Sequence, residues 1–124
     1  MNRQKESKVF IIYPNISDQL HFFDGTKYVG EVIRQGRGIY YDQDGSIYDG
    51  DWLDDQRSGN GKMLYTDGSV YDGKWEGDKI HGRGVYISSN GDRYEGHFNL
   101  GMKEGYGTMY YRSGNTFQGY WRSD

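Results

Sequence analysis

Aromatic and polar residues alternate along this chain in short runs, and the runs return. Tyr48-Asp49-Gly50-Asp51-Trp52 leads, after a polar stretch, to Gly59-Asn60-Gly61-Lys62-Met63. One register later, Tyr71-Asp72-Gly73-Lys74-Trp75 leads to Gly82-Arg83-Gly84-Val85-Tyr86. Tyr94-Glu95-Gly96-His97-Phe98 then leads to Gly105-Tyr106-Gly107-Thr108-Met109. A half-copy, Phe117-Gln118-Gly119-Tyr120-Trp121, follows, and the step is 23 residues throughout. A fixed period of this size marks a repeat architecture, each copy being one supersecondary unit. Period two places Tyr48, Gly50 and Trp52 on one face and Asp49 and Asp51 on the other. The polar partners recur as Glu31, Asp72, Lys74, Glu95, His97 and Gln118. This alternation predicts antiparallel strands with one aromatic face and one wet face.

Glycine falls into four columns: Gly25/45/68/91/114, Gly30/50/73/96/119, Gly36/59/82/105 and Gly38/61/84/107. These hold 18 of the 20 glycines, so each column marks a backbone requirement rather than linker filler. Asp24-Gly25, Asp44-Gly45, Asp67-Gly68 and Asn90-Gly91 sit between apolar runs, and such dipeptides predict tight hairpin turns. Ser113-Gly114 is a weaker version. The connections at 54–58 and 77–81 read as longer polar loops. Aromatic rings are expected to lie over glycine backbones on neighbouring strands. About eleven strands at roughly 4.8 Å spacing give a sheet on the order of 50 Å long.

Upstream, Val9 to Tyr13 reads as a strand closed by Pro14-Asn15, after a polar tail at 1–8. Leu20 to Gly25 reads as an atypical capping segment. The first recognisable copy pairs Tyr28-Val29-Gly30-Glu31-Val32 with Gly36-Arg37-Gly38-Ile39-Tyr40, three residues short between its halves, which predicts a tighter first hairpin. The organisation is therefore a tail with capping strands over 1–23 and an array over 24–124, of four copies and a closing half.

Composition narrows the function. Only 34% of residues are hydrophobic, yet 17% are aromatic, which separates the chain from disordered sequences. A net charge of −3 lacks the basic face that DNA or RNA binding needs. Cysteine is absent, leaving no disulfide framework and mildly favouring a reducing cytosol. No run approaches the ~20 apolar residues of a membrane span, and the N-terminus does not read as a secretory signal.

The pattern Tyr-x-Gly-x-Trp, Gly-x-Gly, then Asp/Asn-Gly at a 23-residue step resembles MORN (membrane occupation and recognition nexus) repeats over roughly residues 24–121. Departures are Val32 and Phe98 at the Trp column and Phe117 at the Tyr column. Ser58-Gly59 and Glu104-Gly105 stand where His-Gly, as at His81-Gly82, is frequent. The resemblance implies an all-β fold: a single-layer, curved antiparallel sheet forming an open trough. It also implies a cytoplasmic scaffold of cytoskeletal, ciliary or membrane-junction settings that binds partner proteins along the trough. Phospholipid binding is a lesser implication, as is service as a regulatory segment of a larger enzyme.

Catalytic constellations are weak. The carboxylate pairs Asp42/Asp44, Asp49/Asp51 and Asp54/Asp55 fall on the wet face or in loops, away from any pocket that would split their pKa values. Asp42 to Gly45 lacks the ligand spacing and bidentate Glu of a calcium loop. Gly36-x-Gly38 and its copies precede a strand rather than the helix a phosphate loop requires. His21, His81 and His97 have no converging spacing, and His81 reads as loop chemistry. Neither an enzyme, a cofactor nor a metal site is expected.

The aromatic columns carry the functional expectation. A one-layer sheet should leave part of its rings open, and Tyr and Trp dominate interface hot spots. Tyr40, Tyr65, Tyr86 and Tyr111 beside Tyr48, Trp52, Tyr71, Trp75, Tyr94, Phe98 and Trp121 are the candidate partner-binding residues. The expected guest is an amphipathic helix or an extended peptide. Phe117, Gly119 and Trp121 form a candidate edge for self-association as a homodimer. Membrane lipid is at most a weak partner, for want of a polybasic cluster, and nucleic acid is not expected.

Overall fold

The structure, a computed structural model, describes residues 10–12, 19–22, 27–29 and 34–122. The tail at 1–8, the turns at Pro14-Asn15 and Asp24-Gly25, and Gly30 to Val32 lie outside the described residues. Three short strands come first: β1 (Phe10–Ile12), β2 (Gln19–Phe22) and β3 (Lys27–Val29). The array follows as β4 (Gly36–Tyr41), β5 (Ile47–Leu53), β6 (Gln56–Leu64) and β7 (Val70–Glu76). It continues as β8 (Lys79–Ile87), β9 (Arg93–Asn99), β10 (Met102–Tyr110) and β11 (Thr116–Trp121). All strands share one open sheet, in which β4 to β11 form an unbroken antiparallel meander.

The first copy departs from expectation. β1 pairs with β4 in parallel, and β3 pairs with β2 at the far edge. No tightened hairpin therefore joins the Tyr28 half to Gly36–Tyr41. The apolar run Phe10-Ile11-Ile12 holds the place beside β4 that the repeat pattern reserves for β3.

The connections also exchange character. Those after Leu53, Glu76 and Asn99 are two-residue turns, not longer loops: Leu53 faces Gln56, and Glu76 faces Lys79. Both central residues adopt positive φ, as Asp54 (49°) and Asp55 (70°), Gly77 (54°) and Asp78 (71°), and Leu100 (48°) and Gly101 (93°). That is the type I′ geometry, whose twist matches the flanking strands. The Asp-Gly and Asn-Gly connections are instead the wider ones. Gly45 N donates to Asp42 O and Asp42 N to Ser46 O, so the glycine alone closes the turn in the left-handed region. Asp44 and Asp67 each accept bonds from the backbone N and hydroxyl of the serine two residues on.

Leucine is a poor choice for the left-handed conformation that aspartate holds at the equivalent Asp54. Leu100→Asp is expected to stabilise the fold by roughly 0.5–1 kcal/mol, read as a higher urea midpoint. An unchanged or lower midpoint would refute the strain argument.

A line of glycines crosses the eight array strands in register: 38, 50, 61, 73, 84, 96, 107 and 119. A Cβ placed on Gly96 would stand 2.5 Å from the Gly107 Cα. The two backbones thus close to about 4 Å, inside the ~4.5 Å of an ordinary non-hydrogen-bonded pair. Tyr48, Tyr71 and Tyr94 fill the space so cleared. Each lies over the next strand's glycine and donates its hydroxyl to a carbonyl three residues on, at Asp51, Lys74 and His97 (2.8, 2.9 and 3.0 Å). Trp52, Trp75 and Trp121 donate indole N–H to the carbonyls of Gly38, Gly61 and Gly107.

Candidate functional site

Edge-to-face contacts join the rings into one chain along the array: Trp52–Tyr48–Trp75–Tyr71–Phe98–Tyr94–Trp121, with centroids 5.0 to 5.5 Å apart. Each tyrosine thus touches the Trp-column ring of its own unit and that of the next. The consequence is burial without a second layer. Tyr48, Tyr71 and Tyr94 are at most 2% exposed, and Trp52, Trp75 and Phe98 at most 6%. These six candidate partner-binding rings are therefore not the open part of the aromatic face: neighbouring copies cover them, and they form the core.

Cations complete the cover. The Arg34 guanidinium stacks 4.7 Å over Trp52, and Arg57 stacks 4.9 Å over Trp75. Lys103 Nζ lies 5.7 Å over Trp121 and 5.8 Å over Tyr94. Each arginine is fixed by an aspartate from the next turn. Arg34 N and Nε donate to Asp55 Oδ1, and Asp55 N donates back to Arg34 O. Arg57 and Asp78 repeat this arrangement. The bonded guanidinium of Arg34 holds the Asp55 carboxyl below the ordinary carboxylate range. Burial pushes the hydroxyls of Tyr48, Tyr71, Tyr94 and Tyr65 upward.

The third unit breaks this scheme. Where the two preceding units carry Arg, Trp and Asp, it carries Ile80, Phe98 and Gly101. Only the backbone bond survives, from Gly101 N to Ile80 O at 2.8 Å. With no guanidinium over the ring, a cavity of about 380 Å³ opens, lined by Tyr65, Ile80, Tyr86, Phe98, Gly101 and Lys103. The first unit holds a smaller cavity of about 130 Å³, whose walls include Arg34, Tyr40, Trp52 and Arg57 with the acids Asp42, Asp55 and Asp78.

Of the remaining candidates, Tyr65 and Tyr86 meet at 6.3 Å between ring centroids and form one wall of the larger cavity. Tyr40 is half-buried against Trp52 at the smaller one. Tyr111 is exposed and lines neither. Trp121 is half-buried in the ring chain, Phe117 packs against it while staying 51% exposed, and Gly119 ends the glycine line. His81 lies on β8 rather than in a loop, and its Nδ1 accepts from Leu100 N of the neighbouring turn. Sequence reasoning passed over Ile80, Gly101 and Lys103. Aligning the columns 34/57/80/103 and 55/78/101 beside the Trp column would have exposed the joint replacement.

The MORN-repeat model matches residues 33–47, 48–70, 71–93 and 94–116, well over half of the chain. The chain belongs to the MORN-repeat family. No curated protein matches the sequence. The second to fourth matches each begin on the tyrosine that roofs a glycine pair, so the family's unit coincides with the packing unit seen here. The first match begins after Tyr28 to Val32, in keeping with β3 pairing away from β4. MORN repeats are a non-catalytic module of repeat proteins of a binding or scaffold type.

Proposed function

We propose that this MORN array is a non-catalytic scaffold that holds an extended peptide or helix of a partner protein across its aromatic face. The third unit anchors it. The observation that carries this reading is the joint replacement of Arg, Trp and Asp by Ile80, Phe98 and Gly101, which trades a self-satisfied clamp for an apolar opening. Repeats that served packing alone would keep the clamp in every unit. A branched or aromatic side chain of the partner fills the cavity, and a partner carboxylate meets the Lys103 ammonium.

Rebuilding the clamp tests this. In Ile80→Arg/Gly101→Asp the third unit gains the Arg–Asp pair of the two preceding units, at a backbone conformation that Asp55 and Asp78 already adopt. The melting temperature is expected to hold or rise. Peptides selected on the full chain from a random displayed library are expected to lose at least about tenfold in affinity. Undiminished binding by the rebuilt variant would remove the third unit from the function.

A further inference from the structure

The two ends of the meander carry complementary halves of one unit. A unit is complete where a strand bearing a Tyr-column ring is followed by a Gly-x-Gly strand. In β7 with β8, Tyr71 faces Tyr86 and Gly73 faces Gly84. Strand β11 is a first half: among the described residues it pairs with β10 and with no strand beyond. Its Phe117, in the column of Tyr48, Tyr71 and Tyr94, is 51% exposed where those three are at most 2%. Strand β4 is a second half. Gly36 keeps the left-handed φ (92°) of Gly59, Gly82 and Gly105. A Cβ on those three would meet Asp51, Lys74 and His97 of the preceding strand, whereas one on Gly36 would meet no described atom within 4 Å. The column of Asp51, Lys74 and His97 ends in Tyr120, which is 82% exposed. Beside β4 stands β1 instead, running parallel, paired over Phe10–Ile12 alone and setting Phe10 rather than a glycine opposite Gly38. The β11 edge is also undefended. Charge ordinarily keeps edge strands from pairing, and Thr116–Trp121 carries none, whereas the matching strands β5, β7 and β9 all carry charged side chains.

We propose that copies of this chain join head to tail, β11 of one copy taking the place beside β4 of the next that β1 holds in the single chain. The register follows from the array. Gly119 faces Gly38 of the next copy, Phe117 faces Tyr40 and Gln118 faces Ile39, repeating Gly73–Gly84, Tyr71–Tyr86 and Asp72–Val85. The close approach of Gly107 to Gly96 is a non-hydrogen-bonded pair, so Gly107 exchanges its backbone bonds with Gly119. By the same alternation, the N–H and C=O of Gln118 point outward, ready for an incoming strand. Phe117 then roofs Gly38 as Tyr71 roofs Gly84, and Tyr120 lies against Gly36. That geometry selects against a twofold pairing of two β11 strands. With Gly119 opposite Gly119, both Phe117 rings would claim the space over one glycine pair that a single tyrosine fills elsewhere. A head-to-tail joint uses a different surface on each side, so it extends the sheet copy by copy rather than closing as a dimer.

The test uses the full chain, which has no cysteine of its own. Chains carrying Ile39→Cys and chains carrying Gln118→Cys, mixed and treated with a short bis-maleimide, are expected to couple to each other, while neither couples to itself. Sedimentation should show a weight-average mass that climbs past that of a dimer as concentration rises. Ile12→Pro puts a proline into β1, which lies between β2 and β4, and so loosens its hold on β4. That variant should associate at lower concentration than the unaltered chain. Gly119→Ala should weaken association about tenfold or more while the single chain stays folded. Its methyl would be driven against the backbone of Gly38 in the next copy, as a Cβ on Gly73 would stand 2.4 Å from the Gly84 Cα. Coupling of Gln118→Cys to itself, association that stops at a dimer, or association indifferent to Gly119→Ala would each overturn the proposal. So would an Ile12→Pro chain that stays monomeric at every concentration.

Discussion

Gly84→Ala is expected to cost about 3 kcal/mol or more and to leave the chain largely unfolded at room temperature. A methyl group there would be driven into the Tyr71 ring, which is fully buried and has no direction in which to yield. Tyr71 is held between Trp75 and Phe98 and tethered to the Lys74 carbonyl. Backbone movement is blocked as well, because Gly84 already crowds its partner Gly73. Gly119→Ala is the internal control. It occupies the same line, but its added methyl would rest 3.4 Å from the flexible end of Phe117, an ordinary contact. That substitution is expected to stay within about 1 kcal/mol of neutral. Equal tolerance of both in urea melts would show that the tyrosine roof is not what requires glycine.

Raising the pH is expected to unfold the protein cooperatively between about pH 10 and 12. Burial keeps the hydroxyls of Tyr48 and Tyr71 protonated well past the ordinary tyrosine range, and Tyr94 shifts the same way. Their folded pKa lies above the unfolded one. The stabilisation is therefore fully present below about pH 10 and drains away as the unfolded chain ionises while the folded chain does not. Each strongly shifted tyrosine removes about 1.4 kcal/mol per pH unit in that window. Two units acting on Tyr48 and Tyr71 remove about 5 kcal/mol, comparable to the whole stability of a small domain. Tyrosinate absorbance should rise in a step that coincides with loss of the sheet's circular dichroism. A smooth rise with the sheet intact to pH 12 or about that would refute the buried-hydroxyl account.

Much of this architecture was legible in the residues. The 23-residue step, the glycine columns and the alternation in Tyr48-x-Gly50-x-Trp52 specify which strands pair and which face each ring takes. What covers a ring is another matter. Alternation states that Trp75 points to the side of Tyr71, but its burial depends on Tyr48 in the preceding unit and Arg57 stacking across a gap of 18 residues. Such offsets emerge only when the strands are set side by side. The turns misled for a local reason: Asp54-Asp55 and Leu100-Gly101 carry no glycine in the first position, yet both residues take the left-handed form. Counting every residue from 54 to 58 as loop concealed how far β6 extends. On the outer face, Leu64 and Val70 sit at the strand ends, beyond the Tyr-x-Gly-x-Trp window that drew attention to the polar partners. The β1 strand was recognisable, but its parallel place beside β4 was not, since no periodicity governs a segment that occurs once.

The strands lie across the long axis of the array, so the hydrogen bonds between them run along it. Tension applied between β4 and β11 would consequently load these bonds rung by rung, like a zipper, rather than all at once as in a sheared pair. The ring contacts Tyr48–Trp75, Tyr71–Phe98 and Tyr94–Trp121 each reach the next strand but one, so every such tie is shared by two neighbouring strand interfaces. Such a ribbon yields to stretching in small, reversible steps, which makes it a compliant spacer and a poor cable.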